Sequence, residues 1–192
     1  NWELGHLSFN AAPEIASVMT YLKKNYAIDT VVETGTFQGN TTVFFSYLFD
    51  DVHTIELNPI THEETKNKLS HLQNISCYKG SSDMVFKTLL PTLKGKTVLF
   101  YLDAHWNQYW PLLREIEEIA KTHKDQCVIV IDDAKVPERN DIPYDKFGKN
   151  ECSYEYIKDT LKLAFTDHTV HYLIPSKKGS KAKLIILPKT SK

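Results

Sequence analysis

Arginine is nearly missing from this chain. Arg114 and Arg139 are its only two, and the formal net charge is -1. Nucleic-acid surfaces rely on arginine for bidentate phosphate and guanine contacts, so no nucleic-acid partner is expected. Cysteine is sparse as well: Cys77, Cys127 and Cys152 form no Cys-x-x-Cys pair, and an odd number cannot all pair within one chain. A reducing, cytoplasmic setting follows as an expectation. No apolar run approaches the ~18 residues of a membrane span, and no basic-then-apolar leader opens the chain, so no membrane partner is expected either. Repeats, linkers and low-complexity tracts are also lacking. The 192 residues suit one domain, with 1–28 as a covering segment and helix. The first residue is Asn1, which suggests a domain excised from a longer protein, and fused glycan-processing domains and a homo-oligomer are left open.

What is present is organised around Asp29 to Gly39. Thr30-Val31-Val32 reads as a buried strand, and Gly35 and Gly39 fall where the backbone turns into a helix. Such a turn lets backbone N–H groups approach a ligand, while Glu33 leaves a carboxylate at the strand end. The Gly-x-Gly-x-x-Gly pattern of a pyrophosphate cradle is not there. An acid before two glycines favours a cationic ligand, against the plainer reading of a tight turn with no ligand.

Helical spacing covers Ile15, Val18, Met19, Leu22 and Tyr26 after Pro13, and Val43, Phe44, Tyr47 and Leu48. Thr61 with Glu64 reads as a capping box, Ser81 or Ser82 as a cap, and Ser153 as another. Strands are expected at Val52–Glu56, Ile75–Tyr78, Thr97–Leu102 and Val128–Ile131. Thr169–Ile174 and Lys183–Leu187 flank Lys177-Lys178-Gly179-Ser180, which is a hairpin signal. The predicted fold is α/β, doubly wound, with a mostly parallel seven-stranded sheet and an antiparallel strand in the C-terminal hairpin. Residues 134–152 carry Pro137, Pro143 and Gly148 without apolar period, and a lid is expected there.

In open α/β sheets ligands lie beyond the carboxyl ends of the strands. Acids recur there: Glu33, Glu56, Asp103, and Asp132 with Asp133, while Gly80-Ser81-Ser82-Asp83 follows the third strand. Carboxylates on one edge repel unless cations sit among them. Two cations would resolve that conflict.

Glu33-Thr34-Gly35-Thr36-Phe37-Gln38-Gly39 resembles the first motif of class I S-adenosylmethionine-dependent methyltransferases, and the strand order extends the resemblance over nearly the whole chain. The resemblance implies S-adenosyl-L-methionine as cofactor, held by Glu33, Thr34, Gly35, Thr36, Gly39 and Asp103. It places Glu56 on the ribose, Leu57 beside the adenine, and Ser82 and Asp83 at the adenine edge. Asp103 with Asp132-Asp133 resembles metal-dependent sugar O-methyltransferases of the antibiotic-tailoring type, implying Mg²⁺ on Asp103, Asp132 and Asp133. His105, with an ordinary pKa near ~6.5, is the candidate base beside Asp103. The acceptor implied is a small molecule or glycan, with a deoxyhexose such as rhamnose as the first guess. Metal-free transfer, a catechol acceptor, a silent scaffold domain and, last, a nicotinamide enzyme are the rivals. Trp106 and Tyr109 crowd the same corner, Trp110 is expected in the core, and the other histidines, among them His53, His62 and His123, are expected to be solvated.

Overall fold

The computed structural model describes residues 9, 13–105 and 109–189. Strands buried on both faces have no polar side to spare, and β1 (Thr30–Thr34) and β4 (Val98–Leu102) are buried at every position. With β2 (Asp51–Glu56), β3 (Ile75–Lys79), β5 (Cys127–Ala134), β8 (His168–Leu173) and β9 (Ala182–Pro188) they form one seven-stranded sheet; β6 and β7 are a small pair described below. Its order is β3-β2-β1-β4-β5-β9-β8, parallel from β3 to β5. β9 runs antiparallel to both β5 and β8, as the lysine-glycine turn implied.

Successive strand residues face opposite sides, so each face has its own core. Val31, Leu99 and Val128 meet Ile15, Met19 and Leu22 of α1 (Pro13–Asn25) and Phe45 of α2 (Asn40–Leu48). Val32, Phe100 and Ile129 meet Phe86 of α4 (Ser82–Leu89), Ile116 of α5 (Leu112–His123) and Ile157 of α6 (Tyr154–Ala164).

Three local readings change. Helix α3 (Pro59–Leu69) starts before Thr61: Asn58 is its cap, accepting from Ile60 N at 2.9 Å and Thr61 N at 3.2 Å, and Pro59 presets the first turn. Ser81 precedes α4, but its hydroxyl is hydrogen-bonded to the Asp83 carboxylate and Tyr109 OH and accepts no helix N–H. His53, His62 and His123 are buried, not solvated: His123 Nε2 meets Leu93 O at 3.1 Å and His53 Nδ1 meets Tyr78 OH at 3.1 Å. Ser153 caps α6 as expected, accepting from Tyr156 N.

Residues 134–152 hold a small hairpin, β6 (Lys146–Phe147) with β7 (Asn150–Glu151), folded onto the end of β5. Asp145 N donates to Asp133 O at 3.0 Å, and Cys152 N to Asp145 O at 2.9 Å. Trp110 is sandwiched between Phe147 and Tyr156, ring centres 4.7 and 4.6 Å away. Trp106 lies outside the described residues.

Candidate active site

The glycine turn is fixed by the chain itself. A Cβ on Gly35, at φ +86°, would lie 2.6 Å from the Asp103 carbonyl oxygen, and one on Gly39, at φ +74°, 2.8 Å from Thr65 Cγ2. Four of its amides are used internally. Gly35 N and Thr36 N donate to Ile55 O, Gly39 N to Thr36 O, and Phe37 N to Glu56 Oε2 at 2.9 Å. What the turn offers is the space it bounds.

On one side lies a cavity of 310 Å³, lined by Gly35, Phe37, Glu56, Leu57, Ser82 and His105 among others. Glu56 is buried, each carboxylate oxygen accepting one backbone N–H, from Phe37 and from Asn58 at 2.8 Å. A carboxylate oxygen has room for a further donor, so the pinned acid can still receive hydroxyls. Phe37, at φ +45°, and Leu57 are exposed apolar side chains at the mouth. Ser82 is buried in the wall. Asp83 is turned to Ser81 and to Tyr109 OH, 2.7 Å away, with Arg114 at 3.6 Å. Burial would raise its carboxyl, but these partners hold it below the ordinary value. Beneath the cavity Glu115 is buried, and burial pushes it to about 7 while the nearby Ser82 and Thr34 hydroxyls pull the other way. Glu115 Oε1 and Ser82 Oγ have no partner of good hydrogen-bond geometry.

On the other side a cavity of 180 Å³ shares Gly35, Phe37 and Asp103 with the first and reaches Glu33, Asn40, Thr41 and Asp132. Glu33 Oε2 accepts from Thr42 Oγ1 at 2.5 Å and Thr54 Oγ1 at 2.7 Å. Burial outweighs these bonds and raises its pKa to about 7. Thr36 Oγ1 meets Thr54 Oγ1 at 2.6 Å, and Thr34 receives Asp103 N on its carbonyl at 3.1 Å, so both brace the turn. Gly39 gives α2 no side-chain cap, leaving the helix start toward this space.

The acids after β4 and β5 converge, and the chain supplies cations among them. Asp132 and Asp133 sit where the β5–β9 register shifts, with Asp133 at φ +58°, a left-handed strain that only a fixed surround maintains. Asp132 receives Tyr101 OH at 2.6 Å, its neighbour's amide, and buried Lys183. Lys181 bridges Asp133, at 2.7 Å, and Asp145. His105 Nε2 lies 2.8 Å from Asp145 Oδ2 and 3.4 Å from Asp133 Oδ2, and its Nδ1 lies 3.6 Å from Asp103 Oδ1. Burial would lower His105, but the carboxylates of Asp133, Asp145 and Asp132 raise it above its ordinary value. Asp133 is held well below the carboxylate range by His105 and Lys181 despite its burial, whereas burial with Asp132 and Asp133 alongside pushes Asp103 well up. Lys181, Lys183 and Asp145 were not among the residues singled out for this site.

Asp103, His105 and Asp133 each offer one donor atom, all within 4.8 Å of one another, and fit a divalent ion; Asp132 is already engaged by Lys183 and Tyr101. A ring nitrogen among carboxylates widens the choice from Mg²⁺ toward Mn²⁺ or Zn²⁺.

An acid-lined track at the carboxyl edge of a seven-stranded sheet whose β9 is reversed defines the class I methyltransferase fold. The Methyltransferase domain family matches residues 32–134, and the chain belongs to that family. No curated protein matches it by sequence. Among solved structures, an O-methyltransferase from Bacillus cereus in complex with SAH aligns with TM-score 0.66 at 14% identity, over 94% of this chain and 83% of that one. The O-methyltransferase TomG from Streptomyces achromogenes, involved in tomaymycin synthesis and solved with SAM, aligns with TM-score 0.64 at 14% identity, over 94% and 82%. Streptomyces venezuelae DesVI aligns with TM-score 0.61 at 12% identity, over 91% and 90%. These likenesses establish the fold. No helix among the described residues is long and apolar enough to cross a membrane.

Proposed function

We propose that this methyltransferase moves the methyl group of S-adenosylmethionine to a hydroxyl of a sugar. The observation that carries the reading is the pair of cavities flanking Gly35, which share Asp103 in their walls and add Glu56 on one side and Glu33 on the other. Two of the solved neighbours, the B. cereus protein and TomG, are O-methyltransferases holding SAH or SAM, which supports both cofactor and acceptor atom. Glu56 takes the ribose hydroxyls, Leu57 and Phe37 flank the adenine, and Ser82 and Asp83 lie toward its edge. The cofactor's ammonium meets Glu33, and its carboxylate meets the start of α2, where the helix dipole favours an anion.

Transfer breaks the sulfur–methyl bond and forms a carbon–oxygen bond. The electron pair stays on sulfur, and the hydroxyl proton leaves to a base. His105 receives that proton, with Asp103 beside it. The three carboxylates that raise its pKa are offset once a sulfonium arrives, which returns the ring toward its neutral, accepting form. In the metal-assisted case Asp103, His105 and Asp133 would hold a divalent ion that acidifies and orients the acceptor hydroxyl, with His105 then serving as ligand rather than as base. Metal-free transfer is the second reading, favoured by Lys181 and Lys183, which already neutralise Asp132, Asp133 and Asp145. A catechol acceptor would want an aromatic wall, and Trp110 has both faces covered. Sugar hydroxyls suit the cluster of Asp103, His105 and Asp133 better.

The test is incubation with methyl-labelled cofactor and a panel of methyl glycosides, including rhamnosides, followed by mass analysis. A product heavier by one methyl, lost in His105→Ala, supports the reading. Cofactor binding without label in any glycoside would leave a scaffold domain instead.

A further inference from the structure

A third cavity, of 250 Å³, lies next to the acid cluster. It shares Phe9 with the cavity beside Glu33, and Asp133 in its wall directly follows Asp132 in the other. The chemistry of the wall changes here: among the described residues Lys177, Lys178, Lys181 and Lys183 line it with Asp133, while Asp132 and Asp145 pair with Lys183 and Lys181 from behind.

This wall is built rather than solvated at random. Lys183 is 3% exposed, projecting from β9 onto Asp132. The β8–β9 turn is closed by Ser180 N donating to Lys177 O at 3.1 Å, with Gly179 at φ +82°. Just before that turn, Ser176 is tied to α1, giving both its amide and its hydroxyl to Glu14 Oε1. An ammonium has three N–H donors, so Lys181 and Lys183 keep capacity after binding Asp132, Asp133 and Asp145. Lys178 makes no ion pair among the described residues. The track is therefore acidic where a sulfonium would lie and becomes basic at its outer end.

We propose that this lysine-walled cavity is an anion subsite that selects acceptors bearing a carboxylate or phosphate group next to the methylated hydroxyl. The inference rests on the methyl-transfer reading, because only an acceptor reaching toward His105 would extend into this space. An acceptor's charged group would be recognised by the ammoniums while its hydroxyl faces the acid cluster. A neutral glycoside would gain nothing from the lysines.

The experiment compares three matched acceptors: a methyl hexoside, its uronate and its 6-phosphate, each assayed at low and at raised salt. The expected result is a kcat/KM for one anionic acceptor at least about tenfold above the neutral one, shrinking as salt screens the lysines. Which anion wins separates carboxylate from phosphate recognition. Lys178→Glu should reduce that ratio several-fold. Equal kcat/KM for all three, or a preference indifferent to both salt and Lys178→Glu, overturns the proposal. If none of the three is methylated, the transfer reading fails separately. The subsite is then judged by calorimetry of the same compounds on the SAH-loaded chain: anion-selective binding weakened by Lys178→Glu supports it, and its absence rejects it.

Discussion

His105 Nε2 stands 2.8 Å from Asp145 Oδ2, joining the end of β4 to the flap that follows β5. Phe147 of the same flap packs edge-on against the imidazole, ring centres 5.5 Å apart. The flap thereby fixes the ring from two directions. Asp145→Asn keeps the shape but removes the charge, and should lower kcat/KM by about 10- to 100-fold, in the range of lost outer-shell partners, with SAH affinity nearly unchanged. Turnover and calorimetry on the same preparation check this. Equal losses in both would mark Asp145 as merely structural.

Gly35 answers to packing before ligand. An added Cβ would press on the Asp103 carbonyl, a backbone atom with no rotamer to change, at a φ disfavoured for alanine. Gly35→Ala should cost about 2 kcal/mol or more. Gly39→Ala should cost less, because its nearest neighbour is a side-chain methyl of Thr65. Urea denaturation of both variants measures the difference, and a neutral Gly35→Ala would contradict the close approach described here.

Much of this arrangement was readable beforehand, for physical reasons. Thr30-Val31-Val32 and Val128–Ile131 read as buried strands from their β-branched apolar residues, and Gly179 in a lysine-rich turn between two apolar runs announced the antiparallel pair. Acids after successive strands had to share an edge, and Asp103, Asp132 and Asp133 do converge. Lys183 escaped notice because a lysine in a strand reads as a solvated face until the pairing of β9 with β5 turns it onto Asp132. Asp145 lies in a stretch without period, so nothing local marked it. The burial of His53, His62 and His123 depends on partners distant in sequence, such as Leu93 O for His123.

Burial disfavours the charged forms of Glu33 and Glu115 and pushes both carboxyls up from 4.5 to about 7 in the folded chain. Between those values the folded state holds protons that the unfolded state has released, so stability falls as pH rises from about 4.5 to 7. Each group accounts for up to about 3 kcal/mol of that loss. Glu115→Gln should flatten the decline in Tm over this range. A variant whose Tm falls as steeply as the wild type's would show that Glu115 is not buried as a neutral acid.

Lys181 competes with a metal ion for Asp133, while Lys183 neutralises the adjacent Asp132. If a divalent ion on Asp103, His105 and Asp133 assists transfer, EDTA should abolish turnover and Mg²⁺ or Mn²⁺ restore it. If the ammoniums suffice, EDTA should leave the rate intact and Lys183→Met should cost about 3 kcal/mol in stability by leaving Asp132 unpaired. Turnover before and after chelation separates the two.

The most direct measurement is calorimetric titration of the wild-type chain and of Glu56→Ala with S-adenosylhomocysteine. A single site in the wild type, weakened at least about tenfold in the variant, is the expected outcome for a carboxylate that holds the ribose. No binding heat with the wild-type chain at any accessible concentration, or unchanged affinity in Glu56→Ala, would contradict the assignment of the cavity beside Gly35 to the cofactor.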